Sequence, residues 1–155
     1  MPPIMPPAGV DERESYLAWL SFLREAVLGK VAGLDEDEAR WTPPGRLISV
    51  LGVVNHLTHV EWRWIDGGFH GAVVARSDEE FRPRTSVSVQ QIVNAYTARA
   101  QKTDQVVREL QLGETCALDR TVNLRWVLLH VINETARHAG HADATRELLD
   151  GTTGE

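Results

Sequence analysis

Apolar residues recur at helical spacing along almost the whole chain, and no stretch alternates apolar and polar residues long enough to make a strand of consequence. Leu20, Leu23, Val27, Val31 and Leu34 form one stripe, ended near Gly33. Residues 35–40 read as a short extra turn, and Thr42-Pro43-Pro44-Gly45 as a break. A second helix is expected from an N-cap at Ser49 to the Gly67-Gly68 pair, with Val53, Leu57, Val60 and Trp64 as its apolar stripe. A third starts at Ser88, where Gln91 completes a capping box, and buries Val89, Ile92, Tyr96, Ala100, Thr103, Val107 and Leu110. The last runs from about Val122 to Asp150 and stops at Gly151. Loops cover 71–87 and 113–121. The first is long for a compact domain, and such loops tend to carry function. Four long helices predict an all-α chain folded as a four-helix bundle. Residues 1–10 are expected to be a flexible, proline-rich arm, and 11–155 a single domain.

Charge and composition exclude some classes of function. The formal net charge is −6 and no block of Lys or Arg stands out, which argues against a nucleic-acid partner. No apolar run reaches the length of a membrane span, and MPPIMPPAGV lacks the charged and apolar regions of a signal peptide. Cys116 is the single cysteine, so no internal disulfide can form, and a cytoplasmic location is expected. Cys116 falls in a polar loop with no motif around it and reads as incidental. There is no phosphate-binding glycine loop, nucleophile elbow or dinucleotide fingerprint.

The chemistry concentrates in two runs, VVNHLTHVEWRW and NETARHAGHAD. At about 100° per residue, Leu124, Leu128, Val131, Ala139 and Ala142 define the buried face of the last helix. His138 falls beside that face, Glu134 further round on the same side, and His130 and His141 further still. On the second helix His56 flanks the apolar stripe and His59 points further away. A lone histidine in such a place is ordinarily a hydrogen-bonded boundary residue. Two imidazoles and a carboxylate converging from two helices instead make a three-ligand metal site with a vacant position, as in catalytic rather than structural zinc. His70 reads as a surface residue. Glu61 and Asp66 read as solvated or paired to nearby arginines.

The segments LGVVNHLTHVEWRW and NLRWVLLHVINETARHAGHADATRELLDGTTGE, with REAVLGKVAGLDEDEARW before them, resemble the DinB-like superfamily. More closely they resemble its actinobacterial branch of mycothiol S-transferases, which is related to mycothiol-dependent maleylpyruvate isomerase. The wider superfamily holds its metal with three histidines, one on the second helix and two spaced four apart on the last. Here the first of that pair is Glu134, a departure that agrees with the histidine–glutamate–histidine set of the mycothiol branch. The resemblance implies His56, Glu134 and His138 as metal ligands and an up-down-down-up bundle, often a homodimer.

The expected activity is thiol S-transfer. A divalent metal, zinc by expectation, would stabilise mycothiol as the thiolate for attack on an electrophile. His59, His141, Arg82, Arg84 and Arg125 are the candidates for binding the polar thiol. For the arginines, surface solvation or salt bridging is the favoured reading. The alternatives are metal-assisted hydrolysis through an activated water, an iron-dependent oxygenase, or a non-enzymatic metal-binding stress protein.

Overall fold

A computed structural model describes residues 5–45 and 47–154. Residues 1–4 of the proline-rich arm lie outside the described residues. Helix α1 spans Glu12–Val31, α2 Glu36–Arg40, α3 Val50–Glu61, α4 Gly67–Phe69, α5 Val89–Glu109 and α6 Leu124–Asp150. Helix α1 packs on α6, and α3 packs on both α5 and α6. Among the described residues the extended structure is a single isolated bridge, Thr115 to Asn123.

Side chains mark the helix ends. Asp11, Ser49, Ser88 and Asn123 each accept a hydrogen bond from a backbone N–H of the first turn, which satisfies one of the donors a helix start leaves without a partner. Ser88 and Gln91 form the expected capping box, and Asp35 and Glu38 form another on the short α2. Gly151 closes α6 with φ +76°, a left-handed conformation that a side chain would resist.

The second helix departs from expectation at its far end. It continues as a π-turn over Trp62–Asp66 and runs through the glycine pair as α4. Such a turn inserts a residue and shifts the phase of everything after it. Ile65 is therefore buried, whereas Trp64, the residue that an unbroken period would bury, is half-buried.

Among the described residues the core falls into two apolar clusters. One gathers Leu20, Val60, Ile65, Val107, Leu128 and their neighbours. The other gathers Val27, Val53, Leu57, Ile92, Tyr96 and Ala142. Along the helices, buried Arg24, Thr103 and Thr135 fall between them in sequence, and Glu61 is buried beside Val60 of the first. Arg24 takes the inward place expected of Leu23, which is only half-buried. Its guanidinium makes two parallel bonds of 2.8 Å to the Glu61 carboxylate and a third to Asp104. Burial disfavours the guanidinium charge, but Glu61 and Asp104 outweigh it and raise the pKa of Arg24. Asp66 pairs with Arg99 in turn. Cys116 lies in the loop before α6, as expected, but its side chain is fully buried in the first cluster and packed against Gly68.

Candidate metal centre

His56 sits two turns into α3, and Glu134 and His138 sit one turn apart on α6, so the α3–α6 contact brings all three together. One ligand atom from each can be chosen so that all three lie within 4.8 Å of one another. Glu134 Oε2 is 3.8 Å from His56 Nε2 and 3.7 Å from His138 Nε2. The two imidazole rings meet nearly edge to face, with centroids 4.4 Å apart. His56 is buried, while Glu134 and His138 keep one side toward solvent. The cluster is thus held from below and open from above.

Burial lowers the pKa of both histidines. For His138 the effect is strengthened by the neighbouring His56 and brings its pKa down to about 4. For His56, burial outweighs the pull of the Glu80 and Glu134 carboxylates. Both rings are therefore neutral at pH 7, the form in which an imidazole nitrogen can donate its lone pair to a metal. Glu134 supplies the one negative charge of the set. Two neutral imidazole nitrogens and a carboxylate oxygen, drawn together with no lysine or arginine bonded to any of them among the described residues, are a donor set that fits a divalent cation.

The long loop contributes what the sequence did not reveal. Its 3-10 turn, Asp78–Glu80, lies against α3 and buries Glu80. Glu80 Oε1 is 2.8 Å from His56 Nδ1, and Arg63 donates to Glu80 Oε2 at 2.7 Å. Burial alone would raise the pKa of this carboxyl, but Arg63 and His56 hold it below the ordinary value. Phe81 stacks on the outer face of the His56 ring, with centroids 4.4 Å apart. No helical period could locate Glu80, because its position depends on how the loop folds back.

The five residues considered for the thiol are scattered. His141 Nδ1 stands 3.4 Å from His138 Nδ1, so it borders the cluster. His59 donates from Nδ1 to the Asn55 carbonyl one turn back and, with Arg84, Glu79 and Glu80, lines a cavity of about 290 Å³. Arg84 itself pairs with Glu79 on the surface. Arg82 lines a second cavity of about 570 Å³ together with Phe81, Leu47, Ile48 and Arg40. Phe81 and Glu80 thus each touch His56 and a cavity. Arg125 is paired with Glu12 near the start of α6, nine residues before Glu134 and so about 14 Å away along the helix axis.

By its family the chain is a DinB-like protein. The mycothiol-S-transferase family model matches residues 15–151, and the chain belongs to that family. Among solved structures, a conserved protein from Enterococcus faecalis superposes with a TM-score of 0.75 over 93% of this chain and 100% of its own, at 16% identity. That likeness shows the fold. No curated protein matches the sequence. Among the described residues no helix is long and apolar enough to cross a membrane.

Proposed function

We propose that the protein is a metal-dependent transferase that joins the sulfur of mycothiol to an electrophilic small molecule, with His56, Glu134 and His138 holding the metal. The observation that carries this reading is the convergence of those three donor groups within 4.8 Å, in a chain of the mycothiol-S-transferase family. A divalent metal, zinc by preference, would supply the positive charge that makes a thiol a thiolate at neutral pH.

The chain's own residues prepare the place. Burial keeps His56 and His138 unprotonated, so their nitrogens are available without first losing a proton. Glu134 would offset half the charge of a dication held there, which an all-neutral ligand set could not do. No buried cysteine reaches the cluster to close it, since Cys116 is packed against Gly68. The exposed side of Glu134 and His138 is the approach for the thiol, with His141 at its edge. The cavity beside Phe81 offers apolar side chains with Arg40 and Arg82, and the one beside His59 carries charges of both signs.

Metal analysis tests the ligand assignment. We expect one divalent ion per chain after reconstitution with zinc and removal of excess, and none in Glu134→Ala. Full metal occupancy in Glu134→Ala would reject the assignment. If the loaded protein conjugates no thiol but hydrolyses an ester or amide in a metal-dependent way, the hydrolase reading replaces this one.

A further inference from the structure

We propose that Glu80, braced by Arg63, is a positioning residue that fixes which nitrogen of His56 faces the cluster and thereby makes the 71–87 loop part of the metal site. The proposal rests on the ligand assignment above.

A neutral imidazole carries one N–H, and the hydrogen bond made by one nitrogen decides which nitrogen is left to donate. Glu80 Oε1 lies 2.8 Å from Nδ1 of His56. An ionised carboxylate can only accept, so Nδ1 carries the hydrogen and donates it to Glu80. The bare lone pair is then on Nε2, the nitrogen that faces Glu134. Partners of this kind orient metal-ligating histidines and raise their basicity. Without Glu80 the ring could hold its hydrogen on Nε2 and present an N–H to the other two groups.

The carboxylate and the backbone that carries it are in turn held in place. Arg63 occupies its second oxygen at 2.7 Å. The Asn55 amide donates to the carbonyls of Glu79 and Glu80 at 3.1 and 2.9 Å. The Phe81 carbonyl comes so close to Gly52 that a Cβ there would collide with it. Three positions on one face of α3, Gly52, Asn55 and His56, thus receive the loop, and Phe81 covers the His56 ring. Such support is more than a surface ion pair needs. It places a charge 3% exposed beside a ligand that would otherwise be free to flip.

The test uses the full chain and zinc alone, with no thiol. Zinc affinity is measured by competition with a chelator of known affinity, and the His56 tautomer by nitrogen-15 NMR of the metal-free protein. Glu80→Ala is expected to weaken zinc binding about 10–100-fold, the usual cost of losing such a partner, and to abolish the Nδ1–H tautomer's dominance. Glu80→Gln keeps an oxygen that can accept the same N–H, so it is expected to keep that tautomer and lose less affinity than Glu80→Ala. Wild-type affinity in Glu80→Ala overturns the proposal, and so does a dominant Nε2–H tautomer in the unaltered protein. Zinc binding by the unaltered protein keeps the two failures apart. If it takes up no zinc, the ligand assignment itself fails and this proposal falls with it. If it takes up zinc and Glu80→Ala does so equally well, only the positioning role fails.

Discussion

Replacing His138 by alanine is expected to weaken zinc binding by more than about 100-fold, since loss of a mere supporting partner already costs about 10–100-fold. Thiol transfer should disappear with it. The helical circular-dichroism spectrum should stay. The reason lies in where the stability comes from. Leu20, Leu57, Leu128 and Val131 are fully buried in the two apolar clusters, and each such side chain contributes about 1.5–3 kcal/mol. His138 sits beside them with one edge toward solvent and a charge state that burial already disfavours. Its removal is expected to change stability by no more than about 1 kcal/mol, in the range of ordinary substitutions. His56→Ala should lose metal as fully as His138→Ala. His59→Ala should retain it, because the His59 ring is bonded to its own helix at Asn55 and takes no part in the cluster. Equal metal loss in the His56 and His59 variants would contradict the assignment. Unfolding of His138→Ala would mark the residue as structural.

The largest effect on stability is expected from Glu61→Ala. Glu61 is 1% exposed and accepts two hydrogen bonds from Arg24, itself nearly as deep. Its removal leaves a buried guanidinium with Asp104, which is a third exposed, as its remaining partner. Breaking a buried pair on one side costs about 3–5 kcal/mol, because the surviving charge stays out of water. That is a large share of the roughly 5–15 kcal/mol that holds a domain together. The urea midpoint should fall accordingly. The double variant Arg24→Leu, Glu61→Leu should recover most of the loss, since apolar residues of similar volume commonly replace a buried ion pair without cost. A Glu61→Ala variant within about 1 kcal/mol of the parent would show that water reaches Arg24.

Much of this fold is legible in the sequence because helix signals are local. Ser88 with Gln91, Ser49 and Gly151 mark their helix ends by chemistry that needs only a few neighbouring residues. The spacing of Glu134 and His138 is local too, and helical phase puts His56 rather than His59 beside the core. The departures are places where a distant partner decides. Arg24 turns inward in place of Leu23 because Glu61, on another helix, receives it. The π-turn at Trp62–Asp66 breaks the 3.6-residue period that located Trp64 in the core. Glu80 reaches His56 only because its loop docks on α3, and nothing in the run of acidic residues 78–80 singles it out. Arg82, Arg84 and Arg125 illustrate the same limit. Residue type alone makes them candidates for binding a polar thiol, while the chain sets them in separate places, two of them already paired with Glu79 and Glu12.

The most direct measurement is the rate at which the zinc-loaded protein joins mycothiol to a generic electrophile, a haloaromatic or bimane reagent, compared at equal thiol concentration with cysteine and glutathione and repeated after chelation. The account predicts acceleration with mycothiol well above the other two thiols, loss of that acceleration when the metal is removed, and its return when zinc is restored. A rate unchanged by chelation, or cysteine reacting as fast as mycothiol, would contradict it.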